Sequence, residues 1–112
     1  HPKLESRLLQ MARTELAEVQ DQILLLGRKT AKERLATFLL NLAKRAEARG
    51  DESNPVAVPM SRDDIGDFLG LTTETVSRTF TRLKQSGFIA QEPDRRVLVR
   101  DRATLEDIAG GV

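Results

Sequence analysis

At 112 residues the chain is long enough for one compact domain plus one long helix, and a net charge of only +1 does not by itself mark a nucleic-acid binder. It has no Cys, Trp or Tyr, which excludes a disulfide framework and thiolate metal ligation and leaves a core of aliphatic residues and four Phe. The one His is His1, at the terminus; no apolar run reaches the ~20 residues of a membrane helix and nothing resembles a signal peptide, so the expected compartment is the cytoplasm with no membrane partner.

Residues 3–26 read as one long helix without internal Gly or Pro. Leu9, Ala12, Leu16, Val19, Ile23 and Leu26 recur at alternating steps of three and four, a heptad seam of about three heptads. Leu8, Met11, Leu24 and Leu25 widen the apolar surface beside it. A soluble monomer rarely exposes so large a patch, so the expectation is a self-paired coiled coil, a homodimer with those six residues at its interface. The alternative is a single amphipathic helix packed on its own domain. The expected division is a dimerisation helix over 1–27 and a second domain over 28–112.

Gly27 breaks the heptad pattern. Thr30 followed by Glu33 is a capping box, which starts a second helix at Ala31 and lets it run to Gly50. Leu35, Phe38, Leu39, Leu42 and Ala46 form its apolar stripe, opposite Lys32, Arg34, Lys44, Arg45 and Arg49. Asp51 to Asn54 form a polar loop that alone carries no chemistry. Residues 55–60 read as a brief strand, confined to an edge or limited in its pairing by Pro59.

Residues 61–87 are the informative stretch. Ser61 and Asp64 resemble a capping box, so a helix is expected from Arg62 to near Gly70. Thr72 caps the next helix, with Glu74 in its first turn where the dipole favours an anion. Gly66 supplies a small residue for a close crossing, Gly70 a left-handed turn, and Val76 an apolar plug, the offsets of a helix-turn-helix. The second helix carries an apolar stripe of Val76, Phe80 and Leu83, and a polar face of Thr73, Glu74, Ser77, Arg78 and Thr81. Arg grips guanine O6 and N7, Glu accepts from cytosine N4, and hydroxyls serve either partner. An ordinary pair of packed helices with a solvated face is the bland alternative.

Two strands, 88–91 and 96–100, flank the turn Glu92-Pro93-Asp94-Arg95, a hairpin with Arg95 and Arg96 at or beside its tip. Between residues 72 and 100 six basic residues face three acidic ones, the local excess that phosphates require. A hairpin directly after a recognition helix is a wing, and its basic tip reaches the sugar-phosphate backbone. The alternative is a hairpin with solvated arginines. Ser61, Thr72, Thr81, Arg82, Arg95 and Arg96 are the candidate backbone contacts; Thr73, Glu74, Ser77 and Arg78 are the candidate base contacts. Asp101 caps a short closing helix near residues 103–109. The fold class is mainly α with a small β-sheet: a winged helix-turn-helix preceded by a long coiled-coil helix.

The order of elements, and the stretches DQILLLGRKTAKERLATFLLNLAKR (21–45) and MSRDDIGDFLGLTTETVSRTFTRLKQSGFI (60–89), resemble the C-terminal part of the cyclic-AMP-receptor/FNR family of bacterial transcription regulators. Glu74, Ser77 and Arg78 match the E-x-x-S-R signature of its FNR/FixK branch. The resemblance implies a homodimer reading a palindromic operator with TTGAT half-sites about one helical turn apart. Glu74 and Arg78 would read the G·C pair, Ser77 the outer T·A pair, and Thr73 would be a secondary contact. It also implies contact with RNA polymerase, with residues 50–54 a candidate surface. The family's N-terminal sensor barrel does not appear in this sequence, which therefore resembles a fragment, and no cofactor is expected within it. Two other readings stay open: a coiled-coil protein-interaction module without DNA binding, and an enzyme with Mg²⁺ at Asp63, Asp64 and Asp67, against which stands the lack of an internal His, of Cys and of a phosphate-cradling loop.

Overall fold

A computed structural model describes residues 30–110. The seam of Leu9, Ala12, Leu16, Val19, Ile23 and Leu26 lies outside them. The capping box at Thr30 is complete. Glu33 N–H donates to the Thr30 hydroxyl at 3.2 Å, and Thr30 N–H donates to the Glu33 carboxylate at 2.9 Å. It opens helix α1, Ala31–Arg49, which ends on Gly50 in the left-handed conformation at φ 78°. α1 buries more than the expected stripe: Ala36, Leu40 and Ala43 join Leu35, Phe38, Leu39 and Ala46, while Leu42 is only partly buried. The extra face is required because α1 is packed on several sides.

Several elements meet α1 among the described residues. The two-residue strand β1, Val56–Ala57, touches it; helix α2, Arg62–Leu69, is tied to its start; helix α3, Thr73–Gln85, and the closing helix α4, Arg102–Gly110, pack along it. Phe38 and Phe68 meet edge to face, 6.0 Å between centroids, which joins α1 to α2. Arg34 of α1 donates to the Leu69 carbonyl at 2.8 Å and so satisfies an orphan acceptor at the end of α2. On the opposite side Arg102 of α4 pairs with Glu47 of α1 at 2.7 Å and with Glu106 one turn along at 3.2 Å.

The sheet is antiparallel in the order β1-β3-β2, with β2 at Ile89–Glu92 and β3 at Arg96–Val99. β3 is central: Val97 faces Val56 on one side and Gln91 on the other. Ile89, Val97, Val99 and Val56 are buried beneath the helices, while alternate positions stay partly or fully exposed. The hairpin strands begin or end one residue from the expected bounds. The 51–54 loop is more than polar filler. Asn54 donates to the Val99 carbonyl at 3.1 Å and accepts from Val99 N–H at 2.8 Å, a side chain standing in for a strand.

Candidate nucleic-acid interface

α2 and α3 form the predicted helix pair. Ser61 caps α2 by accepting from Asp64 N–H at 3.1 Å, but the return bond of a capping box is absent. An Asp side chain is one methylene shorter than the Glu of the usual motif. Gly70 turns left-handed at φ 71°, and the Gly70 and Leu71 N–H groups both donate to the Gly66 carbonyl. Gly66 is required by the turn rather than by the facing helix: a Cβ there would sit 2.6 Å from the Leu71 carbonyl oxygen. Thr72 then caps α3.

α3 has two clean faces. Val76, Phe80 and Leu83 are buried at 0–1% exposure. Buried Thr79 spends its hydroxyl on the Thr75 carbonyl at 2.7 Å. Thr73, Glu74, Ser77, Arg78, Thr81 and Arg82 are all exposed on the other face. Arg78 donates to Glu74 at 2.5 Å, and their side chains stay 59% and 79% exposed. So exposed an ion pair is worth little and opens or shares its groups at small cost. Thr73 donates to the carboxylate of Asp63, from the first turn of α2. The Ser77 hydroxyl has no bond partner among the described residues, whereas Thr81 donates to the Ser77 carbonyl at 3.0 Å.

The candidate backbone contacts divide. Ser61 accepts only at its cap and keeps its proton. It lies with Arg62, Gln91 and Arg95 along a cleft of about 250 Å³ between the hairpin and the start of α2. Arg95 is exposed, in a left-handed turn position at φ 57°, and reaches the Pro59 carbonyl at 3.5 Å. Thr72 commits its hydroxyl to the cap, accepting from Thr75 N–H at 3.1 Å and donating to the Thr75 hydroxyl at 2.8 Å. Arg96, expected at or beside the tip, is half-buried. Its guanidinium donates to the Pro55 carbonyl at 3.0 Å and lies 3.9 Å from Glu52. The split follows from the hairpin: Arg95 sits in the turn before β3, whereas Arg96 opens β3 opposite Ala57 of β1 and so comes within reach of the 52–55 loop.

Three contacts around this face are not encoded in the sequence pattern. Arg62 stacks its guanidinium 3.6 Å from the centroid of the Phe80 ring, and burial pulls its pKa below the ordinary arginine value. Asp63 positions Thr73, and Arg34 holds the turn. Each is a contact between elements, which periodicity along one element does not encode. Asp63, Asp64 and Asp67 do not converge: no group of three or more His, Cys, Asp or Glu that could hold a metal ion occurs among the described residues. No helix among them is long and apolar enough to cross a membrane.

Residues 33–108 match the sequence family described as the Crp-like helix-turn-helix domain. The chain is 46% identical over 110 residues to the transcriptional activator protein FnrA of Stutzerimonas stutzeri, covering 98% of this chain and 45% of that protein. It is 50% identical over 105 residues to the nitrogen fixation regulation protein FixK of Azorhizobium caulinodans, covering 93% and 42%. The chain thus spans less than half the length of these relatives. Among solved structures, FixK2 of Bradyrhizobium japonicum superposes with a TM-score of 0.69 at 42% identity, over 96% of this chain and 52% of that one. A CRP-family transcriptional regulator of Thermus thermophilus superposes at 0.63 with 26% identity, over 98% and 55%.

Proposed function

Because the chain belongs to the Crp-like helix-turn-helix domain family, we propose that it is the DNA-reading region of a transcription regulator and that α3 enters the major groove. One observation carries this: the exposed row Thr73, Glu74, Ser77 and Arg78 on a helix whose opposite face is wholly buried. Arg78 takes guanine O6 and N7, Glu74 accepts from a cytosine N4 while holding Arg78 in line, and Ser77 contacts the neighbouring pair. Ser61, Arg82 and Arg95 hold phosphates, with Thr81 beside them at the groove edge and Thr72 serving chiefly to cap α3; Arg96 braces the wing from within.

The finer reading is a homodimer, joined through the seam of residues 9–26, on a palindromic operator of TTGAT half-sites about one helical turn apart. RNA polymerase is the further partner, the compartment is the cytoplasm, and no cofactor is needed within this stretch. The name of the FnrA relative, a transcriptional activator protein, supports regulation of transcription as the task, and that of the FixK relative, a nitrogen fixation regulation protein, supports a regulatory one. Selection of bound duplexes from a random pool tests the half-site sequence, its symmetry and its spacing together. The reading expects TTGAT-like half-sites in inverted repeat; a pool that returns no enriched sequence contradicts it and favours a protein-interaction module.

A further inference from the structure

The exposed hydroxyls on α3 are not equivalent. Ser77 has no partner among the described residues, so it can donate or accept. Thr73 is bonded to the carboxylate of Asp63. An ionised carboxylate has no proton to give, so the direction of that bond is fixed: Thr73 donates and Asp63 accepts. The single hydroxyl proton is thereby spent. What Thr73 turns outward is lone pairs.

We infer that Asp63 is a positioning residue that sets the hydrogen-bond polarity of Thr73 and so makes it selective for a base that offers an amino group in the major groove. Adenine N6 and cytosine N4 are such donors; guanine O6 and thymine O4 are acceptors and meet lone pair with lone pair. To donate to a keto edge, Thr73 must break its bond to Asp63 and leave the carboxylate to water. Both residues are exposed, so that rearrangement is possible but costs about one ordinary hydrogen bond, a preference of roughly threefold to tenfold. The same carboxylate stands on the face turned to DNA, where it repels phosphates and lowers affinity for every sequence alike. Asp63 therefore exchanges some general affinity for selectivity at one base pair. The inference rests on the DNA reading of α3 above.

The test uses duplexes selected by the wild-type chain, with each base pair of the half-site then replaced in turn, and binding read by fluorescence anisotropy at fixed salt. Thr73→Val identifies the pair concerned, because it keeps the shape and removes the hydroxyl. At that pair the wild type should prefer the amino-presenting base about threefold to tenfold, and Thr73→Val should abolish the preference. Asp63→Ala should bring it close to one while tightening binding to all duplexes. Asp63→Asn removes the charge but keeps a carbonyl acceptor, so it should tighten binding and retain the preference. Thr73→Val without effect at any pair, or Asp63→Ala with the wild-type preference intact, overturns the inference. Arg78→Ala measured alongside separates the two failures. If it relaxes the G·C preference while the Asp63 and Thr73 variants change nothing, only the role of Asp63 is lost; if no variant alters any sequence preference, the DNA reading itself fails.

Discussion

Gly66→Ala sets two effects of opposite sign against each other. In an ordinary helix interior the change should stabilise by about 0.5–1 kcal/mol, because Gly loses more backbone freedom on folding than Ala. Here the new Cβ would lie 2.6 Å from the Leu71 carbonyl oxygen and 3.4 Å from the Thr72 carbonyl carbon. Both neighbours are backbone, so no side-chain rotation relieves the clash, and the turn must shift. Forcing an extra carbon into such a contact typically costs about 1–3 kcal/mol. The steric effect should win by about 1 kcal/mol, enough to lower the melting temperature by about 4–8 °C in a domain of this size. The shift also displaces Thr72, the cap of α3, so duplex affinity should fall by more than the unfolded fraction at 25 °C explains. Gly50→Ala is the matched control. It has φ 78° with nothing within 4 Å of its would-be Cβ, so it should cost about 1 kcal/mol through backbone strain alone and leave DNA affinity unchanged. Thermal unfolding by circular dichroism and anisotropy titration read both quantities. Gly66→Ala melting at or above the wild-type temperature would refute the reasoning.

Adjacent arginines on the wing should behave differently: Arg95→Ala should weaken binding to all duplexes and flatten the salt dependence, while Arg96→Ala should chiefly lower the melting temperature, having lost its bond to Pro55. Phe80→Ala should destabilise by about 3–5 kcal/mol, since the ring is 1% exposed and also carries Arg62; chemical denaturation measures it. Hydrogen bonds from the Thr104 hydroxyl and backbone lower the Asp101 pKa below its ordinary value of 3.8. A carboxylate depressed in the folded state contributes stability above the unfolded value and loses it as pH falls through the folded one. The stability advantage of wild type over Asp101→Ala should thus be full at pH 7 and shrink below about pH 4 as the carboxylate protonates, in denaturation curves taken across that range.

What the sequence made legible was whatever is local. The capping residues Thr30, Ser61 and Thr72, the helix end at Gly50, the left-handed Gly70, and the stripe Val76, Phe80 and Leu83 all follow from spacing along one element, and the structure has them. The polar face of α3 was equally readable, because the same periodicity that buries one side exposes the other. What escaped involves partners distant in the chain. Leu40 and Ala43 of α1 are buried because α4, some sixty residues on, packs against that helix. Asp63 looked like a charge at a helix start, and its bond to Thr73 exists only once the turn brings two helix N-termini together. Arg95 and Arg96 are alike as letters; they separate because one lies in the turn and the other is paired in β3 beside β1, close to Pro55.

The most direct measurement of the central claim is the specificity ratio of Arg78→Ala, taken as affinity for the selected duplex over affinity for the same duplex with its half-site G·C pairs exchanged. Wild type should favour the selected duplex, and the variant should lose about 1–3 kcal/mol of that discrimination while keeping its melting temperature, since Arg78 makes only an exposed contact. An unchanged ratio would mean that α3 does not read bases.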